Sequence, residues 1–137
     1  MEAAQFAPGQ TLFLPSPHAA YEPCVVESCT GMGASAILKV HTLAQPTKSL
    51  EIPPDQLCHV CEADPLSLKG APDMVKFANL TEGALLHNLR VRYGKDQIYS
   101  AAGAILLSVN PFKPLGGVYT KEAMAECQVK NKGRGGV

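Results

Sequence analysis

The chain has 137 residues, and its 12 basic and 12 acidic residues give a formal net charge of zero at pH 7. Hydrophobic residues make up 46% and charged residues 18% of the sequence, a balance that excludes an intrinsically disordered chain. The longest apolar run, residues 101–109, is far too short to cross a bilayer, so we expect no membrane insertion.

Charge is distributed unevenly along the sequence. Residues 1–72 hold 3 basic and 7 acidic residues, whereas residues 73–137 hold 9 basic and 5 acidic ones. An excess of this size is compatible with a phosphate-bearing ligand, but it is too small and scattered to indicate nucleic-acid binding. The N-terminus lacks the basic start and apolar core of a signal peptide, which predicts a cytoplasmic protein with reduced cysteines.

Between residues 10 and 61 the sequence contains five short runs rich in branched or large apolar residues. Proline, glycine and serine lie between them, a pattern typical of a small antiparallel β-barrel. Pro53 and Pro54 should end a strand or start a tight helical turn, and residues 31–33 should form a hairpin turn. The predicted strands are TLFLP, PCVVESC, SAILKVHTL, SLEIP and LCHVC.

A linker follows the predicted barrel. Residues 62–73, EADPLSLKGAPD, combine prolines, a glycine and charges. The predicted organisation is therefore a barrel over residues 1–62, a linker over 63–72 and a second part over 73–137. Such a division predicts two unequal unfolding transitions.

The second part changes to a helical pattern. Leu85, Leu89 and Tyr93 recur every four residues and predict one apolar helical face, with Thr81 or Asn79 as the N-cap and Gly94 as the stop. Residues 97–109 then predict one or two strands with a turn at Gly103. The last of these, residues 104–109, is apolar on both faces, as a covered central strand would be. A final helix should begin after Thr120, yet these elements are too few to close a core.

Two alternatives concern chemistry. Cys58 and Cys61 have the spacing of a zinc knuckle, and Cys24 with Cys29 could complete four ligands, but ordinary strand packing of these thiols is favoured, so no metal site is predicted. The sequence contains no nucleophile motif and no Walker A loop; the glycine-rich GRGGV ending lacks the required Lys-Ser/Thr pair. No catalytic residue is predicted.

The stretch from Asn110 to Tyr119 is the candidate binding site. Pro111 keeps Asn110 out of the helical region, Phe112 offers a flat apolar face, Lys113 a cation, and Tyr119 a ring with a hydroxyl group. This set could hold a planar, partly polar ligand such as a nucleobase. The alternative is a strand-ending turn whose aromatic side chains pack on the core.

Residues 73–120 resemble the opening of the myosin motor domain. The resemblance rests on the order and spacing of an Asp-Met start and of the segments LLHNLRVRY, IYS, VNPFK and YT. The preceding segment is similar, less strongly, to the SH3-like barrel that precedes many myosin motors, through GQTLFLPSPHAAYEPCVV and LEIPPDQL. Pro114, Gly116 and Gly117 depart from the family pattern, which places Tyr119 in question.

The resemblance implies a mixed α/β fold: an SH3-like antiparallel barrel followed by an incomplete P-loop NTPase-type motor segment. It implies that Asn110, Pro111, Phe112, Lys113 and Tyr119 line the adenine side of ATP, which binds with Mg²⁺ in the complete motor. It also implies actin filaments and the remainder of the motor as partners, and a cytoplasmic, cytoskeletal location. Because the phosphate-binding loop and switch segments are missing, we expect this chain alone neither to hydrolyse ATP nor to bind actin. The alternative is a stand-alone SH3-like interaction module.

Overall fold

The computed structural model describes residues 6–31 and 33–125 and shows a mixed α/β architecture, as predicted. The first part is an antiparallel sheet of five strands in the order β4-β3-β2-β1-β5. In this order β4 and β5 are the two edges, and the sheet is not closed by a ladder between them in the described residues. The strands are β1 (Thr11–Ser16), β2 (Ala20–Thr30), β3 (Ile37–Thr42), β4 (Gln45–Ile52) and β5 (Cys61–Glu62).

The core of this sheet follows from the two-residue period of its strands. Leu12 and Leu14 of β1 point to the same face, where they join Cys24, Val26 and other buried residues in one apolar cluster. The connection over residues 31–36 links the paired ends of β2 and β3, where the sequence predicted a hairpin turn, and Gly31 there has a φ of +86°. Four of the five predicted strands are thus present.

The prediction that LCHVC forms a strand is wrong. Residues Pro54–His59 form a 3₁₀ helix instead, and only Cys61 and Glu62 pair with β1. The sequence allowed this second possibility, because Pro54 has the fixed φ that suits the first helical position. Leu57 and Val60 are both buried, and their three-residue separation matches the repeat of a 3₁₀ turn better than the alternation of a strand.

The predicted linker contains a short helix, α1 (Pro65–Lys69), that the sequence analysis missed. Asp64 caps it by accepting a hydrogen bond from the Leu66 N–H at 2.7 Å. Gly70 ends it with a φ of +84°, the left-handed conformation that suits glycine at a helix C-terminus.

Helix α2 (Glu82–Tyr93) begins where predicted, with Thr81 as its N-cap accepting from the Ala84 N–H at 3.2 Å. Its most deeply buried face is displaced by one position from the predicted one. Leu85 and Leu89 are only partly buried. The fully buried side chains include Ala84 and Asn88, and the Asn88 amide donates to the Ala71 carbonyl at 3.0 Å. The core side of α2 is therefore built from small and hydrogen-bonded residues, which the apolar spacing did not reveal.

A second core joins the sheet to the rest of the chain. Phe13 points to the opposite face of β1 from Leu12 and Leu14, and it is fully buried together with Met74, Phe77 and Ala84. One strand thus contributes to two cores, and Phe13 packs the five-stranded sheet against residues 74–84.

The chain then forms a two-stranded antiparallel sheet of β6 (Tyr99–Ala102) and β7 (Ile105–Ser108), with Gly103 in the connecting turn at a φ of +63°. The expected covering of the second strand is not seen within the described residues, because Ile105 is 64% and Leu106 66% exposed. Residues 121–125 are helical after Thr120, and the remainder of the predicted last helix lies outside the described residues. Over residues 6–31 and 33–125, no helix has the length and apolar character needed to span a membrane.

Candidate functional site

The turn that follows β7 is fixed locally by its own asparagine. The Oδ1 atom of Asn110 accepts a hydrogen bond from the Phe112 N–H at 2.9 Å, the geometry of an Asx turn. Phe112 has a φ of +52°, a left-handed conformation that is uncommon for a bulky residue. The Phe112 side chain is 88% exposed. The alternative that this aromatic packs on the core does not hold for Phe112 in the described structure.

The C-terminal end of α2 holds the same turn from the other side. The Tyr93 hydroxyl donates to the carbonyl oxygen of Pro111 at 3.0 Å. The Lys113 ammonium lies 2.6 Å from the Asp96 carboxylate, and each of these side chains is about half exposed. The hydrogen bond that Lys113 donates to Asp96, followed by the negative charge of Asp96, raises the pKa of Lys113 above its ordinary value. The residues on either side of Phe112 therefore contact the end of α2 and the loop that follows it, Pro111 through its carbonyl and Lys113 through its side chain.

An apolar groove lies beside this turn. It has a volume of about 340 Å³ and is wide open to solvent. Pro111, Lys113 and Tyr119 lie outside its lining, so the groove includes only Asn110 and Phe112 of the predicted site. The residues that line it are Leu86, Leu89, Arg90, Tyr93, Val109, Asn110 and Phe112.

Tyr119 is anchored to a different element. Its side chain is 69% exposed, and its hydroxyl lies 3.5 Å from the hydroxyl of Tyr99 in β6. Gly117 precedes it with a φ of +86°, and an added Cβ at Gly117 would meet no atom within 4 Å, so the chain bulges into open space here. The displacement of Tyr119 expected from the two glycines stays a prediction.

Arg92 of α2 holds the backbone of Tyr99 in place through a hydrogen bond. Its buried guanidinium donates to the Tyr99 carbonyl and to the Ser100 hydroxyl, both at 2.8 Å, and to the side chain of Gln97 at 3.1 Å. Loss of hydration on burial lowers the pKa of Arg92. Arg92 thus joins α2 to β6 through a hydrogen-bonded network.

The sequence analysis missed three residues of this region: Tyr93, Asp96 and Tyr99. Tyr93 was assigned to the apolar face of α2, and its hydroxyl partner Pro111 is distant in sequence. Asp96 has a φ of +59°, and an aspartate shortly after a helix-ending glycine is the signal that could have marked it.

The cysteines considered as zinc ligands lie in different environments. Cys24 is buried in the core of the sheet, where its thiol donates to the Leu12 carbonyl at 3.5 Å and burial raises its pKa to about 12. Cys58 is exposed on the 3₁₀ helix. Among the residues that the structure describes, no three histidine, cysteine, aspartate or glutamate side chains come together as a metal site. The cysteines considered for the zinc alternative form no such group there.

Comparison with known proteins relates the second part of the chain to one protein family. Residues 71–134, just under half of the chain, match the family model of the myosin head (motor domain). The prediction that the second part of the chain is the N-terminal part of a myosin motor domain is confirmed by this match and by the relatives described next.

Individual relatives come from distant organisms. The chain is 46% identical to Myosin-4 of Arabidopsis thaliana over 66 residues, which are 48% of this chain and 6% of the relative. It is 39% identical to human Unconventional myosin-VI over 74 residues, 54% of this chain and 6% of the relative. It is 41% identical to the High molecular weight form of myosin-1 of Acanthamoeba castellanii over 82 residues, 60% of this chain and 5% of the relative. The matched region thus spans only about one-twentieth of these relatives.

Proposed function

We propose that this chain supplies part of the head of an ATP-dependent, actin-based motor, and that its role there is to form the wall that receives adenine. The wall comprises Asn110, Pro111, Phe112, Lys113 and Tyr119. One observation carries the proposal: the Phe112 ring is exposed, while hydrogen bonds to the side chains of Asn110 and Tyr93 hold the backbone beneath it. The match of residues 71–134 to the myosin head supports it.

The local chemistry suits a nucleobase. An aromatic ring presents a flat apolar face to a base, and a turn that is already ordered loses little entropy when the base binds. The groove beside Phe112 is lined mainly by apolar side chains, together with the polar Asn110 and Arg90. Small-molecule sites commonly combine an apolar wall with a few fixed polar groups in this way.

Adenine contacts contribute binding rather than catalysis. Phosphoryl transfer depends on positioning the phosphates and Mg²⁺, and contacts to the base stabilise the ground state and the transition state equally. Asn110, Phe112 and Tyr119 offer side chains suited to a base, and none of them is a carboxylate that would hold Mg²⁺. We therefore expect no ATP hydrolysis and no actin binding by the 137-residue chain alone.

The first part of the chain has a supporting role in this proposal. We propose that residues 1–62 form an SH3-like barrel, that 63–72 connect it to the motor segment and that the motor segment begins at residue 73. The antiparallel pairing of the five strands supports an SH3-like arrangement, in which β4 and β5 are edges that are not paired with each other within the described residues. Because Phe13 is buried between the two parts, we propose that the barrel stabilises the motor segment by packing against it. A stand-alone interaction module is not favoured. A cytoplasmic, cytoskeletal location belongs to the same proposal.

The test is a titration of the 137-residue chain with adenosine, followed by the amide signals of residues 110–119 in NMR spectra. We expect saturable shifts confined to this region, with a Kd on the order of 1 mM because only one wall is present. Asn110→Ala should weaken binding several-fold, whereas the matched variant Asn79→Ala, at an exposed position before α2, should leave it unchanged. Equal shifts with uridine, or shifts located elsewhere, would refute an adenine wall.

A further inference from the structure

The side chain of Lys113 is engaged within the protein. Its Nζ atom lies 2.6 Å from Oδ1 of Asp96, and the pair joins the binding turn to the loop that follows α2. From the sequence alone, Lys113 was a cation available to the ligand. The structure pairs that cation with a carboxylate of the same chain.

The position of Asp96 is set by the end of α2. Its N–H donates to the Tyr93 carbonyl at 3.0 Å, and the next residue, Gln97, donates from its N–H to the Arg92 carbonyl at 2.9 Å. These bonds hold Asp96 at a φ of +59°, a conformation that aspartate and asparagine tolerate better than most residues. The Asp96 carboxylate is therefore presented from the same helix end that holds Pro111 through Tyr93.

We propose that Asp96 is a positioning residue that withholds the Lys113 cation from the ligand's phosphates, so that this wall recognises the nucleoside part of a nucleotide. The inference rests on the proposed function and specifies which part of the ligand the wall reads. In this proposal Lys113 forms part of the turn and pairs with Asp96, so that the pair carries no net charge. Phosphate recognition then depends on other residues. Arg90, which lines the groove, is such a residue within the described structure.

The proposal predicts that the charge at position 96 changes the affinity for ATP but not the affinity for adenosine. Neutralising Asp96 would release the cation, which would then attract the phosphates of ATP and leave adenosine unaffected. An exposed ion pair of this kind changes affinity by up to about fivefold at low salt, and added salt screens the effect. The variant Asp96→Asn suits the test because asparagine keeps the tolerance for the left-handed conformation.

The experiment compares ATP and adenosine affinities by NMR titration at low ionic strength for four proteins. These are the original chain, Asp96→Asn, the double variant Asp96→Asn/Lys113→Met, and Asp55→Asn as a matched control that makes the same charge change on the 3₁₀ helix. The ratio of ATP to adenosine affinity should rise up to about fivefold in Asp96→Asn and return to the original value in the double variant. It should remain unchanged in Asp55→Asn. A double variant whose ratio falls below that of the original chain would show that Lys113 already contacts the phosphates, which overturns the inference.

A second probe makes the result independent of adenine binding. Inorganic tripolyphosphate is titrated while the ε-methylene signal of Lys113 is followed. We expect no shift at this signal in the original chain and a saturable shift in Asp96→Asn; equal shifts in both would overturn the inference. If adenosine fails to bind the original chain, the adenine wall is wrong, and the tripolyphosphate comparison still decides whether Asp96 withholds Lys113.

Discussion

The ring of Phe13 in β1 packs against the imidazole of His87 in α2, with ring centroids 5.1 Å apart and planes inclined by 40°. Phe13 is fully buried on this face of β1, and its neighbours Leu12 and Leu14 are buried in the separate core on the opposite face. The five-stranded sheet and helix α2 thus share one buried aromatic side chain.

Removal of this ring should destabilise both parts together. We expect Phe13→Ala to cost about 3–5 kcal/mol, the usual range for a buried phenylalanine. We also expect the original chain to unfold in one cooperative transition, which replaces the two transitions predicted from the sequence. Circular dichroism melting curves and amide signal intensities from both parts would test this. The exposed Phe112→Ala is the control, expected to change stability by less than about 0.5 kcal/mol. Two separate transitions would contradict the shared core.

Close approach of β1 to α2 requires glycine at position 83. An added Cβ at Gly83 would lie 2.8 Å from the Phe13 Cβ atom, so either the helix or the strand must shift. We expect Gly83→Ala to destabilise the chain by about 1–3 kcal/mol, even though alanine favours helices. Gly94→Ala is the matched control, since an added Cβ there meets its nearest atoms at 3.6 Å and φ is −62°. Chemical denaturation would compare the two, and equal stability would refute the tight contact.

His87 should make stability depend on pH. Its Nδ1 atom is buried without a hydrogen-bond partner in the described structure, and loss of hydration, followed by the charge of Arg90, lowers its pKa from 6.5. The unfolded chain therefore binds the proton more readily than the folded one. Stability should be fully present above pH 6.5 and decline as the pH falls through the lowered pKa of the folded state. Denaturation midpoints between pH 7.5 and about pH 5 would measure this, and His87→Gln should remove the dependence in that range; an unchanged slope in this variant would exclude His87 as its source.

The turn over residues 110–113 should open more often when its hydrogen bond to Tyr93 of α2 is removed. Tyr93→Phe removes only the hydroxyl that donates to Pro111, at a cost of about 1 kcal/mol. Hydrogen exchange at the Phe112 and Lys113 amides should accelerate roughly fivefold, because a local opening becomes easier by that energy. Tyr99→Phe removes a hydroxyl that contacts Tyr119 instead and should leave the exchange of these amides unchanged. Unaltered exchange in Tyr93→Phe would show that the Asx turn alone fixes Phe112.

The sequence predicted well wherever a local pattern determines the structure. The strands from Thr11 to Ile52 show apolar residues separated by turn residues, and the Thr81 cap and the Gly103 turn each follow from residue type. The strand assigned to residues 57–61 failed because the three-residue spacing of Leu57 and Val60 suits a 3₁₀ helix, and a short run cannot distinguish the two.

Contacts between distant residues could not be predicted in the same way. The alternation of β1 places Phe13 on the face opposite Leu12 and Leu14, but it does not show what covers that face, because the partners Met74, Phe77 and Ala84 come much later in the chain. The site residues were located from the turn chemistry of Asn110-Pro111, but the pairing of Lys113 with Asp96 depends on how α2 ends. Local chemistry thus predicts the turn, and tertiary packing determines which of its side chains are paired within the chain.

The most direct test of the adenine wall is photolabelling of the 137-residue chain with 8-azidoadenosine, with the attachment site mapped by mass spectrometry. The proposal predicts labelling within residues 110–119, reduced by excess adenosine and not by uridine. Labelling mainly in the five-stranded sheet, or labelling of residues 110–119 that adenosine does not reduce, would contradict it.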